Sequence, residues 1–310
     1  MSFVSAISTN RLPEKPWSMG AVARLVVSVV LGMIMGGVAI SAIHFFAAPQ
    51  QASTILFVTW VVCAFAALAS AMAILSLPWS LEDGFLWRMI GTVLCIYGGF
   101  FFIWLVGRMM TGDGEPDSPI ATMLLGIIFF QGVALVLVHF FLRQYRQSWP
   151  EGFGLNVTPQ NALVVGTCAG LLALVPAWAL QSLSVWLFEQ LTFHPHEQTA
   201  VEILRHTEGW LARASMGVAT ILIAPCGEEV LFRGILYPTV KREYGRHVAV
   251  WGTAILFGAI HMNLGSFIPL TLLAVLLVWL YESTGNLIAP ILAHAIFNAA
   301  NFIALYFQQK

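Results

Sequence analysis

Residues 225–234 read Pro-Cys-Gly-Glu-Glu-Val-Leu-Phe-Arg-Gly, so Glu228, Glu229 and Arg233 fall within six positions of a chain that is only 9% charged. The run upstream is apolar, and an ionisable group at membrane depth is costly enough to mark a functional site facing the protein interior. On a helix Glu229 and Arg233 are i,i+4 neighbours and can pair. Glu228 projects about 100° away, off that seam and available for chemistry. Two further one-turn motifs follow, Phe257-x-x-x-His261 and His294-x-x-x-Asn298. Each pair occupies one helix face, so three faces can converge on one pocket. Carboxylates and imidazoles at similar depth suit either a catalytic pocket or a proton or ion pathway. Nothing in the chain shows inverted repeats, which disfavours the pathway.

The elements that must hold these residues are membrane helices. The chain has 310 residues, 59% of them hydrophobic, and a net charge of −1. Its apolar stretches run to about 18 residues or more and are apolar all round, unlike the striped helices of a soluble protein. The expected class is all-α: a polytopic transmembrane helical bundle of about eight or nine spans. The segments run roughly 22–48, 54–78, 85–107, 119–142, 161–190, 210–240, 247–263, 267–282 and 286–307. The sixth contains Pro225, which predicts a kink there or a juxtamembrane extension. The first continues to about residue 48, well past a signal-peptide core, and reads as a retained span. Net charge near zero leaves no footprint for nucleic acid.

Arginine and lysine distribution sets the expected orientation. Arg11, Lys15 and Arg24, then Arg143 and Arg146, then Lys241, Arg242 and Arg246 fall on one side if nine spans are correct. That side is cytoplasmic by the positive-inside rule, with the N-terminus in the cytoplasm and the C-terminus outside. Counting about 1.5 Å per residue from the cytoplasmic helix ends puts Glu228 roughly 18 Å deep, His261 about 21 Å, and His294 and Asn298 about 12–18 Å. These depths overlap in the middle of a hydrocarbon layer about 30 Å thick.

Elsewhere polar chemistry is sparse. Gly32-x-x-x-Gly36 is a candidate helix-packing face, and residues 149–155 read as a loop before the fifth span. The 191–209 loop carries His194, His196 and His206 with three glutamates, and reads as a solvated loop rather than a zinc site or a lid. Cys63, Cys95, Cys168 and Cys226 form no metal or redox spacing.

Glu-Glu-Val-Leu-Phe-Arg-Gly (228–234), Phe-Gly-Ala-Ile-His (257–261) and His-Ala-Ile-Phe-Asn (294–298) together resemble the three motifs of the CAAX-protease and bacteriocin-processing (CPBP) intramembrane peptidases, the Rce1-like or abortive-infection group. Asn286-Leu-Ile-Ala-Pro-Ile-Leu-Ala-His is similar to that family's run into its third motif. The likeness covers about residues 215–303, so residues 201–310 are expected to form the catalytic core and residues 1–200 to be transmembrane helices of unassigned role. The resemblance implies hydrolysis of a peptide bond in a membrane-associated protein or peptide. Glu228 would be the general base that activates water, His261 and His294 the essential histidines, and Asn298 an oxyanion donor. Glu229 with Arg233 would hold local charge balance, and Phe257 would shape the pocket beside His261. No metal is assigned; Glu228, His261 and His294 could instead form a three-ligand zinc site, though a glutamate bound to zinc could not also act as base. Expected partners are membrane lipid and a peptide or lipidated substrate. The alternatives are a non-catalytic membrane scaffold or immunity protein and a small transporter. Substrate identity and oligomeric state are not readable from the chain.

Overall fold

The computed structural model describes residues 12–30, positions 120, 123, 124 and 127, and residues 131–192 and 198–308. The predicted spans 54–78 and 85–107, the glycines 32 and 36, and His194 and His196 lie outside the described residues. The chain divides into two compact units, Ser18–Phe141 on the one hand and Met1–Trp17 with Leu142–Lys310 on the other. The described part of the first includes helix α1, Met19–Val30. Helix α2, Val133–Gln144, leads from the first unit into the second.

The second unit is built from helices alone among the described residues: α3 (Trp149–Phe153), α4 (Pro159–Gln190), α5 (Thr199–His206), α6 (Trp210–Tyr244), α7 (Arg246–Ile260), α8 (Leu264–Thr284) and α9 (Ile288–Gln308). The all-α class is therefore observed. Four of these helices, α4, α6, α8 and α9, are long and apolar enough to cross a membrane. The protein is an integral membrane protein.

Several local expectations are corrected. Residues 149–155 are not all loop: Ser148 and Glu151 form a reciprocal capping box that starts α3, and Gly154 ends it in the left-handed region at φ 70°. The 191–209 stretch is half helix, because Leu204 buries while Glu202, Arg205 and His206 face outward. Pro225 neither ends α6 nor begins an extension, and the helical run continues to Tyr244. Its ring crowds the carbonyl four residues back, and a wide π-helical turn at Ala219–Ile223 sits immediately before it to absorb the mismatch. A second π-helical stretch covers Val230–Leu236. Helix α7 has 15 residues, about 22 Å at 1.5 Å per residue, too short to cross the hydrocarbon layer. Asn263 accepts a hydrogen bond from the Ser266 N–H at 2.9 Å and starts α8 at once, making α7 and α8 a helical hairpin that turns at His261–Met262.

Helix α4, which precedes the family-like segment, packs on α8 and α9. A Cβ on Gly166 would lie 2.6 Å from the Ala289 carbonyl oxygen, and one on Gly170 would lie 2.9 Å from that of Ala293. This is a small-xxx-small seam, in which absent side chains let two backbones approach. Gly166→Val should drive α4 off α9, cost about 1–3 kcal/mol by overpacking, and lower the thermal midpoint in detergent. An unchanged midpoint would show that the seam relaxes freely.

The end of the bundle opposite Trp210 is fastened by polar contacts. Glu282 on α8 accepts from the Tyr237 hydroxyl at 2.6 Å, Lys241 at 2.5 Å and the Arg246 Nε at 2.9 Å. These three partners lie on α6 and α7. The segment before Ser18 straps across the same end. Trp17 is fully buried, its indole donating to Thr239 at 3.3 Å, and Arg242 donates to the Trp17 carbonyl at 2.8 Å.

Lys15 donates to the Gly152 carbonyl and to the Tyr281 hydroxyl, with the rings of Trp17, Phe153 and Tyr281 within 5.2–5.7 Å of its ammonium. Burial pulls its pKa down from 10.5 to about 7, against the preference of the ring faces for a cation. The sign follows from proton binding. Between about pH 7 and 10.5 the unfolded lysine holds a proton that the folded one has released, so stability rises with pH across that window and this lysine adds no slope below it. Lys15→Met should flatten the rise in melting temperature between pH 7 and 10; a slope unchanged by the substitution would assign it to another group.

Candidate active site

Three elements deliver the motif residues to one place. Helix α6 carries Glu228 and Glu229 between its two π-helical stretches and Arg233 within the second, and such π-helical turns are frequent at functional sites. Helix α7 ends at Ile260 and presents His261 at its C-terminal cap, while α9 carries His294 and Asn298. Two glycines let α6 and α7 press closely against α3 and α8. A Cβ on Gly234, the residue after Arg233, would stand 2.7 Å from the Phe153 ring, and one on Gly258 would stand 2.5 Å from the Thr271 hydroxyl oxygen.

The i,i+4 pair expected from the sequence forms, with Arg233 Nη1 donating to Glu229 Oε1 at 2.7 Å. Both residues are sealed from solvent, at 0% exposure for Glu229 and 1% for Arg233. Arg233 also donates to the Ala274 carbonyl at 3.3 Å and lies 4.5 Å from the Phe257 ring centroid. The same Glu229 oxygen accepts a second bond, from His294 Nδ1 at 2.9 Å. That contact joins α6 to α9, and helical spacing gave no sign of it.

The bond also fixes the imidazole. A carboxylate oxygen can only accept, so Nδ1 carries the hydrogen, and in the neutral ring Nε2 presents its lone pair on the other side. Glu228 Oε2 stands 4.0 Å from that Nε2. The gap is too long for a direct hydrogen bond and suits one bridging water. His261 is constrained in the same way: its Nδ1 donates to the Phe257 carbonyl at 2.7 Å, turning Nε2 outward. Phe257 is the hub of the group, with ring centroids 4.9 Å from His261, 5.8 Å from His294 and 5.2 Å from Phe232. Both histidines lie within electrostatic reach of Glu228.

Six of the seven expected residues are thus drawn together: Glu228, Glu229, Arg233, Phe257, His261 and His294. Asn298 lies one turn beyond His294 on α9, and its side-chain N–H donates to the Thr220 carbonyl on α6 at 2.9 Å. An amide has two N–H bonds, so this leaves a second donor on the same helix seam. Thr220 was not anticipated, and only its carbonyl is used, so its residue type carries no signal. Asn286 was quoted only within a longer run, yet it is fully buried, donates to the carbonyls of Leu155 and Val157 at 3.1 and 2.8 Å, and accepts from the Ile288 N–H at 2.9 Å. It starts α9 and so sets the register of His294 and Asn298.

Among the described residues no three His, Cys, Asp or Glu side chains are grouped closely enough to hold a metal ion. Glu229 and the Phe257 carbonyl hold the two Nδ1 groups, so the Nε2 atoms of His261 and His294 are the nitrogens that a metal would take. Cys168 and Cys226 are free thiols.

A buried carboxylate–imidazole cluster inside a helical membrane bundle defines an intramembrane site. Residues 210–300, the segment that supplies every motif residue, match the family model of the Rce1-like type II CAAX prenyl endopeptidases. This segment, under a third of the chain, is similar to the Rce1-like family. A curated relative, described as the uncharacterized protein YpbD of Bacillus subtilis (strain 168), is 39% identical over 84 residues. That match covers 26% of this chain and 40% of the relative. No solved structure matches the chain.

Proposed function

We propose that this protein is an intramembrane endopeptidase that hydrolyses a peptide bond in a membrane-associated protein or a lipidated peptide, using water activated by Glu228. One observation carries the reading: Glu228 Oε2 faces His294 Nε2 across 4.0 Å while the opposite nitrogen of that ring is held by Glu229. A water in the gap would give one proton to Glu228 and point its second hydrogen at Nε2. Its oxygen would attack the scissile carbonyl carbon. The oxyanion would take the second N–H of Asn298 as a donor, and the proton held by Glu228 would pass to the departing amine nitrogen as the C–N bond breaks. His261, with Nε2 turned outward, would line the same pocket and orient the substrate or the water. Arg233 and Phe257 would fix Glu229 and the two rings.

The family match over residues 210–300 supports the protease class, and the position of Glu228 opposite His294 Nε2 supports glutamate as the base. The N-terminus would lie in the cytoplasm, with the strap and the Glu282 cluster at the cytoplasmic end. The test is cleavage of farnesylated and plain peptides by purified protein in nanodiscs, with and without chelator. Cleavage that survives chelation supports the water–glutamate mechanism. Cleavage lost to chelator and restored by zinc would replace it with a metal mechanism. Proton flux in liposomes without cleavage would favour a transporter.

A further inference from the structure

A cavity of about 690 Å³ opens along the α6–α9 seam at the end of the bundle opposite the Glu282 cluster. Trp210, Phe302, Ile303 and Phe307 supply its apolar walls, and Glu208 and Arg213 contribute opposite charges. Trp210 is 80% exposed and Phe307 64% exposed, aromatic surface of the kind that sits at the headgroup level of a membrane. Arg213 is held in place, with its Nε donating to the Thr207 carbonyl at 2.9 Å and its guanidinium 5.4 Å from the Tyr306 ring centroid. Its two terminal nitrogens make no hydrogen bond among the described residues. Glu208 lines the same cavity without forming an ion pair with Arg213.

Opposite charges that share a cavity but do not pair are matched by a ligand carrying both signs a few ångströms apart. We propose that this groove binds a zwitterionic phospholipid with a primary-amine headgroup, its phosphate on Arg213, its ammonium on Glu208 and its acyl chains along Trp210, Ile303 and Phe307. A guanidinium with two donors to spare is suited to phosphate oxygens, and a primary ammonium can hydrogen-bond a carboxylate where a glycerol headgroup brings no charge. The volume is that of a small-molecule site. Seen along α9, the groove lies beyond the Asn298–Thr220 bond, so a bound lipid would clamp the same helix seam that positions Asn298.

The test is native mass spectrometry of the full chain released from nanodiscs of equimolar phosphatidylethanolamine and phosphatidylglycerol. Wild type should retain one phosphatidylethanolamine, enriched at least about fivefold over phosphatidylglycerol. Glu208→Gln should bring that ratio to near one, Arg213→Gln should reduce retention of both lipids, and Ile303→Trp should fill the groove and abolish retention without touching either charge. Equal retention of the two lipids by wild type would overturn the proposal, as would an Ile303→Trp protein that still holds phosphatidylethanolamine. Lipid displaced by substrate peptide would assign the groove to substrate instead, and a lipid-free dimer would assign it to a second copy of the chain.

Discussion

Glu228→Gln should lower peptide cleavage by about 10²–10⁴-fold, the usual contribution of a positioned general base, while leaving the melting temperature within about 2 °C of wild type. The substitution keeps the side-chain shape and removes the proton acceptor. The direct countercharge of Arg233 is Glu229, at 2.7 Å, and Glu228→Gln leaves that pair in place. Because the amide can still hold a water by hydrogen bonding, substrate affinity should change little and the loss should fall in kcat. The measurement is single-turnover cleavage in nanodiscs beside a thermal melt of the same preparation. An active Glu228→Gln protein would refute the base assignment, whatever its stability.

Glu229→Ala should do the reverse, damaging stability first and activity with it. Arg233 and Glu229 are both sealed from solvent, and Glu229 Oε1 is the shared acceptor for Arg233 Nη1 and His294 Nδ1. Removing the carboxylate leaves the guanidinium with the Ala274 carbonyl at 3.3 Å, the rings of Phe257 and Phe232 and no directly paired carboxylate. Stranding one member of a buried pair typically costs about 3–5 kcal/mol. His294 also loses the acceptor that holds Nε2 toward Glu228, so whatever protein folds should be inactive. Glu229→Gln keeps an acceptor oxygen and should recover part of the orientation but none of the countercharge. It should therefore be more active than Glu229→Ala and still less stable than wild type. Equal melting temperatures for wild type and Glu229→Ala would argue that Arg233 is solvated in the folded protein.

These two carboxylates show how far the sequence reaches. Adjacency and the 100° step separate Glu229, paired one turn on with Arg233, from Glu228, turned to another face. That division holds in the structure because i,i+4 contacts are local. The role of Glu229 as the acceptor for His294 is not local: the two residues are 65 positions apart, and their meeting depends on how α9 packs against α6. The depth estimate for His261 assumed a span running on to residue 263. The hairpin instead ends α7 at Ile260, because Asn263 caps the next helix at once, so the histidine is brought to the site at a helix end.

The packing residues divide in the same way. A small-residue seam was sought at Gly32 and Gly36, outside the described residues, whereas the seam seen between α4 and α9 uses Gly166 and Gly170. Gly-x-x-x-Gly spacing recurs by chance in glycine-rich spans, and only a facing Ala289 and Ala293 distinguish the pair in use. Glu282 could have been suspected as an isolated acid ending an apolar run. Its three partners, Tyr237, Lys241 and Arg246, become visible only when α6, α7 and α8 meet.

By itself the sequence determined the helical membrane class, the pairing of Glu229 with Arg233 and most of the residues of the polar cluster, since composition and i,i+4 spacing act over a few residues. Tertiary structure alone decided that one glutamate oxygen serves both Arg233 and His294, that Phe257 lies between the two histidines, and that the strap through Lys15 and Trp17 closes one end of the bundle. Those arrangements depend on which buried faces meet, and close packing of distant segments leaves no periodic trace in the chain.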